Sequence, residues 1–318
     1  MKAAVIDGYG GVERLEVREV PRPRPGSGQL LVRVRAASVN PIDWKIRSGR
    51  LRFLKRASFP VVLGFDVAGE VAELGPEAHR FAPGDAVFAF LDSRLGGAYA
   101  EYAVVGEQAV AAKPESVSFE AAAALPVAGL TALQGLRDGG ELMAGDRVLV
   151  NGGAGGVGHL AVQLAAAQGA QVSAVAGPRN QQFLRQLGAA RTFDYEREDF
   201  TRGDETYDIV FDAIGNRSLR ECDPVMADDG IYLTTLPGPG ILLELLRSSL
   251  AGLFGPTRLA RIVVVKPRGE DLATLAILVD QGKLRPAIEH TFSLDEIRQA
   301  HQASESGHTR GKVVVRIA

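Results

Sequence analysis

From residue 1 to about 120 the chain alternates short β-branched apolar runs with Gly, Pro and Asp punctuation. L-L-V-R-V-R-A-A-S-V (30–39), V-A-G-E-V-A-E-L-G (67–75) and Y-A-E-Y-A-V-V (99–105) are examples. Alternation of this kind predicts half-buried strands and a mostly β region. After Glu120 the pattern changes. A-A-A-A-L-P-V-A-G-L-T-A-L-Q-G-L is rich in helix formers, and strands such as R-V-L-V-N, Q-V-S-A-V-A, R-T-F-D-Y, D-I-V-F-D-A-I, I-Y-L-T-T-L and R-I-V-V-V-K then follow, the first ones spaced by helical segments. Strands spaced by helices predict βαβ units and a doubly wound parallel sheet. Near the end, an amphipathic helix closes at Gly282. A second helix opens at Ser293, with Glu296 three residues on as a capping box, and a last strand K-V-V-V-R-I is expected to return to the first domain. The expected division is 1–121 with 267–318, and 122–266.

A length of 318 residues, 46% of them hydrophobic, suits two domains with substantial cores. The 36 Lys+Arg and 38 Asp+Glu give a formal charge of −2, with no broad basic field to gather nucleic acid or anionic membrane. The apolar stretch around 241–254 is interrupted by Glu244, Arg247 and two serines, so no membrane insertion is expected. The short opening run reads as a strand rather than a signal peptide, which makes the cytosol the expected compartment. Cys222 is the only cysteine, and the five histidines form no ligand pair. A multi-cysteine zinc site is excluded, and metal catalysis is not expected.

The run N-G-G-A-G-G-V-G (151–158) contains Gly153-x-Gly155-x-x-Gly158 directly after an apolar strand and directly before a helix. Glycines permit a tight turn and a close backbone approach, and a helix N-terminus offers unpaired N–H groups to a phosphate. Gly153, Gly155, Gly156, Val157 and Gly158 are therefore expected to hold a dinucleotide pyrophosphate. At the end of the next strand, where an NAD-specific protein would carry an acid, the chain has Ala176-Gly177-Pro178-Arg179-Asn180. With no carboxylate there and Arg179 suited to a 2′-phosphate, NADPH is the favoured cofactor. Tyr195, ending the third strand, either covers the adenine edge or caps the sheet.

With these segments in view, the chain resembles the medium-chain dehydrogenase/reductase superfamily, in its zinc-independent, zeta-crystallin-like quinone-oxidoreductase branch. The carrying segments are A-A-S-V-N-P-I-D-W-K-I-R-S-G (36–49), P-V-V-L-G-F-D-V-A-G-E-V (60–71), F-A-P-G-D-A-V (81–87) and L-P-V-A-G-L-T-A-L-Q (125–134). G-G-V-G-H-L-A-V-Q-L-A (155–165) and G-H-T-R-G-K-V-V-V (307–315) complete them. N-P-I-D-W-K, G-P-R-N and G-H-T-R-G-K look most like chloroplast-envelope quinone oxidoreductase homologues and related enone reductases. The resemblance implies a GroES-like β domain with a Rossmann domain inserted into it. It also implies further cofactor contacts at Thr131, Gly215, Leu236, Val264 and Lys312, and a homodimer paired through the R-I-V-V-V edge.

Zinc alcohol dehydrogenases of that family carry Cys around the position of Asn40 and G-H-E where this chain has Gly64-Phe65-Asp66, so the resemblance implies that no zinc is bound. The remaining chemistry is hydride delivery from reduced nicotinamide to an activated C=C or to a quinone, with the developing oxyanion stabilised by the protein. The resemblance sets Asn40-Pro41-Ile42-Asp43-Trp44-Lys45 beside the nicotinamide. Lys45 is then the expected proton or hydrogen-bond donor, Asn40 a ribose or substrate contact, and Asp43 an orienting group. The alternative is a loop in which Asn-Pro and Asp make turns and Lys45 faces water. Trp44, Phe53, Leu54, Phe90, Leu91 and Tyr99 are expected to wall an apolar pocket for a small electrophilic substrate. A quinone oxidoreductase proper shares every one of these motifs. A dinucleotide-binding protein with a structural or RNA-binding role is the reading from another class.

Overall fold

The computed structural model describes residues 1–235 and 258–317. In chain order the first strands are β1 (Lys2–Ile6), β2 (Glu16–Glu19), β3 (Gln29–Val39), β4 (Val61–Val62), β5 (Asp66–Leu74), β6 (Ala86–Phe90), β7 (Tyr102–Gly106) and β8 (Val110–Ala112). Next come β9 (Arg147–Asn151), β10 (Gln171–Ala176), β11 (Arg191–Asp194), β12 (Tyr207–Asp212), β13 (Met226–Thr234) and β14 (Leu259–Ile262), and β15 (Ile288–Ser293) and β16 (Lys312–Arg316) close the chain. Two compact units result: Met1–Ala128 with Lys266–Ala318, and Gly129–Val265. The expected limit at 121/122 lies seven residues earlier than the division. The helix Phe119–Ala123 packs on β3 and β5 and so stays with the first unit.

In the first unit, β3 is the organising strand. It pairs antiparallel with β5 along nearly its whole length, with β7 through Gln29–Arg33 and with β16 through Ala36–Val39. Irregularities in register at Leu31/Val32 and Val34/Ala36 let one strand serve different partners at its two ends. The sheet order is β15-β16-β3-β5-β6-β8, and a small sheet β2-β1-β4 accompanies it. Leu30, Val32, Val34, Val67, Val87, Val105, Val313 and Val315 form its buried core. The last strand does return to the first unit: Val313 lies opposite Val39, which brings Lys312 level with Asn40 across 272 residues of sequence.

The second unit is a six-stranded, all-parallel sheet in the order β11-β10-β9-β12-β13-β14. That is the doubly wound order of a Rossmann sheet, and its switch point lies between β9 and β12. The helix Gly158–Ala167 follows β9 with its first eight residues buried, as a crossover helix packed on a parallel sheet must be. The strand expected over R-I-V-V-V-K ends at Ile262, and among the described residues β14 is the sheet's edge. Among the described residues no helix is long and apolar enough to cross a membrane.

Candidate functional site

In the second unit the turn after β9 is shaped by three glycines with different tasks. Gly152 sits at φ +79°, where a side chain would be strained, and a Cβ there would lie 2.5 Å from Ile214. Gly153 donates to the Val175 carbonyl at 2.9 Å, tying the turn to β10. A Cβ on Gly158 would stand 2.1 Å from the Gly152 carbonyl oxygen, so only glycine lets the helix start this close to the strand. This glycine-lined entry to a helix of ten residues fits a pyrophosphate.

Sequence reasoning missed the polar network at the switch point. Asn151 and Asp212 end the two strands that flank it, and the Asn151 amide donates to Asp212 at 3.0 Å and to Asn216 at 2.7 Å. The buried Asp212 carboxylate also accepts from the Ile214 and Gly215 amides, at 3.0 and 2.9 Å, and from the Tyr232 hydroxyl at 2.9 Å. Gly215, at φ +74°, thus stands in a turn wound around one carboxylate. Burial and the neighbouring Asp212 push the Tyr232 phenol up, keeping it a neutral donor. A polar residue closing each of two apolar strands, V-L-V-N and I-V-F-D, was the available signal.

At the end of β10 the chain makes a 3-10 turn over Pro178–Asn180, and Arg179 is exposed there. A Cβ on Gly177 would lie 3.0 Å from the Tyr195 hydroxyl, so the half-exposed Tyr195 ring covers Gly177 beside Arg179. Ala176 and Gly177 are buried beneath this surface. Thr131 is buried, Val264 is exposed beyond the end of β14, and Leu236 lies outside the described residues.

In the first unit, the carboxyl end of β3 carries a closed polar cluster. Asn40 precedes the helix Pro41–Arg47, whose start is fixed by Pro41 and by Asp43 accepting the Asn40 amide at 2.7 Å. The Asn40 side chain is engaged at both ends: Lys312 Nζ donates to Oδ1 at 2.5 Å, and Nδ2 donates to Asp66 at 2.7 Å. Asp66 further accepts Ser38 Oγ at 2.6 Å and the Val127 amide at 2.8 Å, with Lys312 Nζ 3.5 Å away. All four side chains are buried.

Asp43, also fully buried, accepts the Tyr99 hydroxyl at 2.8 Å while its Oδ1 finds no partner. Burial raises its carboxyl to about 7. Lys45 is half-buried, its Nζ 5.5 Å from the Trp44 ring centre, and burial together with Arg50 lowers its ammonium. Behind them Arg47 is buried between His301 Nδ1 at 3.0 Å and Glu305 at 2.7 Å. Burial and the Arg47 cation push His301 down to about 3, so it is neutral and accepts at Nδ1.

The side chains expected to wall an apolar pocket lie at different depths. Tyr99 is fully buried, bound to Asp43 and edge-on to His301 at 5.5 Å, and Leu91 is core. Phe53 and Leu54 are 87% and 78% exposed on a turn, and Phe90 packs on Phe65 at 5.9 Å. The cluster of Asn40 and Asp66 offers an amide and one carboxylate, with Lys312 Nζ between them and no cysteine or histidine donor, a set that does not resemble the usual tetrahedral zinc ligands. Among the described residues no group of three or more His, Cys, Asp or Glu is placed to hold a metal ion.

Comparison with known proteins agrees with both units. Residues 26–115 match the alcohol dehydrogenase GroES-like domain model, and residues 187–315 match a model described as zinc-binding dehydrogenase. The chain is 34% identical to the chloroplast envelope quinone oxidoreductase homolog of Arabidopsis thaliana, over 99% of this chain and 98% of that one. It is likewise 34% identical to the NADPH-dependent alkenal/one oxidoreductase, chloroplastic, of the same plant, over 99% of this chain and 79% of the other. The solved quinone oxidoreductase of Coxiella burnetii superposes with a TM-score of 0.88 at 35% identity, covering 100% of this chain and 99% of that one. A GroES-like unit interrupted by a Rossmann unit, and likeness of this extent along the whole chain, together mean that the protein belongs to the medium-chain dehydrogenase/reductase family.

Proposed function

We propose that the protein is an NADPH-dependent, zinc-independent reductase that delivers hydride to the activated C=C of an α,β-unsaturated carbonyl or to a quinone. The observation that carries this reading is the cluster at the end of β3, where Lys312 Nζ lies between Asn40 and Asp66, close to positions where the resemblance places the metal ligands of zinc-dependent members. Without a Lewis acid to polarise an alcohol, an acceptor that is already electron-poor is the suitable partner. The names of relatives reducing quinones and alkenals support the same class.

The reduced nicotinamide supplies the hydride when bound. On the protein side, the Gly152–Gly158 turn holds the pyrophosphate, and Arg179 with Tyr195 takes the 2′-phosphate and adenine. Lys45 donates a proton or hydrogen bond to the acceptor oxygen, and its lowered ammonium makes that transfer easier at neutral pH. Asn40 and Asp43 act as positioning groups that hold the first turn of the helix bearing Lys45. A homodimer joined along β14, in the cytosol, completes the proposal.

The test is an NADPH-oxidation screen over short enones, long-chain enones and quinones, with NADH as control and Lys45→Ala beside the wild type. On the best acceptor Lys45→Ala is expected to lower kcat roughly 100-fold with the NADPH dissociation constant unchanged. Wild-type turnover in the variant would remove Lys45 from the mechanism, and no oxidation with any acceptor would remove the reading.

A further inference from the structure

The formal net charge of −2 conceals a local concentration of one sign. Between residues 44 and 65 lie Lys45, Arg47, Arg50, Arg52, Lys55 and Arg56, and no Asp or Glu. Arg47 turns inward to Glu305, whereas Arg50, Arg52 and Arg56 are exposed and meet no carboxylate among the described residues. Between these guanidiniums stand Phe53 and Leu54, the two most exposed large hydrophobic side chains of the described residues, and Arg52 leans over the Phe53 ring at 4.9 Å.

The turn is built rather than loose. Arg52, Leu54 and Lys55 donate their amides back to Gly49 and Leu51 at 2.7 to 3.1 Å. Its two ends are tied down by the Gly10 amide on the Arg47 carbonyl at 3.0 Å and by the Ala57 amide on the Tyr9 hydroxyl at 2.9 Å. Lys55 Nζ, donating to the Arg94 carbonyl at 2.9 Å, holds the far side. An ordered turn that keeps adjacent Phe and Leu in water, ringed by cations without counterions, is costly in solution and complementary to an apolar layer under an anionic one.

We propose that the turn 50–56 docks the protein on the surface of an anionic lipid bilayer, with Phe53 and Leu54 entering the acyl boundary and Arg50, Arg52 and Arg56 meeting the headgroups. The inference is independent of the reductase reading, because it concerns binding and not turnover. Lipid is favoured over RNA because Leu54 has no π-face on which a base could stack, whereas both tip residues suit a hydrocarbon boundary. It is also compatible with the absence of a spanning helix among the described residues: the chain would lie on the membrane, not in it.

Trp44, the sole tryptophan, stands 5.5 Å from the Arg50 guanidinium and reports on the patch. The full chain is mixed with vesicles of phosphatidylcholine alone or phosphatidylcholine with phosphatidylglycerol, and binding is read by co-sedimentation and Trp44 emission. Binding is expected only with phosphatidylglycerol present, fading as salt rises from about 0.05 M to about 0.5 M. Arg50→Glu/Arg52→Glu/Arg56→Glu is expected to weaken the partition roughly 100-fold. Phe53→Ser/Leu54→Ser should weaken it less while retaining the salt dependence, and Arg→Lys at the same three positions should restore it. The idea fails if both vesicle types bind alike, if neither binds at low salt, or if the Glu variant binds as the parent does. It fails equally if the variants lose affinity for a labelled RNA homopolymer, or lose self-association, and vesicles never bind.

Discussion

The dinucleotide turn of the second unit and the polar cluster of the first are made of opposite materials. The turn consists of backbone: Gly152, Gly153 and Gly158 contribute by having no side chain, and what they offer is N–H groups and space. The cluster consists of side chains, with Asn40, Asp66, Ser38 and Lys312 each satisfying the others at the end of one strand. A backbone site tolerates no added atom; a side-chain site tolerates no missing partner. Damage to the two is therefore expected to differ in kind as well as in size.

The largest effect is expected in the cluster. Asp66→Ala strands the buried Lys312 ammonium and removes the acceptor of Ser38, Asn40 and the Val127 amide, which should cost roughly 3–5 kcal/mol in urea unfolding. Lys312→Met should cost clearly less, since neutral donors still serve Asp66, and the double variant should be more stable than Asp66→Ala alone. Additive losses would mean that the two side chains do not share one network. Gly158→Ala comes next. Its Cβ would press on the Gly152 carbonyl, and a loss of about 3 kcal/mol is expected together with failure to bind NADPH in titration calorimetry. A Gly158→Ala protein that binds normally would show that the turn does not hold the cofactor.

A smaller effect separates the buried acid from the buried base of the first unit by pH. Asp43 is raised to about 7, so the folded state keeps its proton longer than the unfolded chain does; its contribution is present below about 4 and is lost as pH rises to about 7. His301 is lowered to about 3, so its contribution is present above about 6.5 and is lost as pH falls toward 3. Asp43→Asn should gain stability relative to the parent as pH rises from 4 to 7, by on the order of 2 kcal/mol, and His301→Gln should gain as pH falls below 6.5. Stability differences that stay flat across pH 4 to 7 in Asp43→Asn would place the Asp43 carboxyl in its ordinary range.

The same contrast explains what could be read from the chain. The turn was legible because glycine spacing, a preceding apolar strand and a following helix are local signals, and β9 with the helix Gly158–Ala167 lies where they put it. Gly152 escaped attention because a positive φ leaves no mark beyond the letter itself. The cluster was not legible: the resemblance offered Asn40 and Lys312 only as separate contacts, and the two meet because β16 pairs with β3, a register that no local pattern encodes. N-P-I-D read equally well as a surface turn or as part of a site; Asn40 and Asp43 start a helix with their side chains buried, a capping role that the letters alone leave open. The depth of the expected pocket residues was not legible, because hydrophobic letters at a loop do not say which way they point. Phe53 and Tyr99 ended up at the two extremes of exposure.

The smallest expected effect concerns Arg179, the side chain proposed to give the backbone site a preference. Arg179 follows β10 at the place where a carboxylate would favour a ribose 2′-hydroxyl, and its guanidinium is exposed next to the Tyr195 ring on Gly177. Arg179→Ala should raise KM for NADPH about 10-fold, near 1.4 kcal/mol, leave KM for NADH within about twofold, and leave kcat unchanged with either. Arg179→Lys should recover part of the difference, because a point charge serves a phosphate less well than a planar fork does. An equal rise for both cofactors would mean that Arg179 shapes the turn after β10 and does not read the 2′-phosphate. The preference for NADPH would then rest on the backbone of Ala176–Gly177, and the division between a site made of backbone and a site made of side chains would be sharper than the assignment of Arg179 allows.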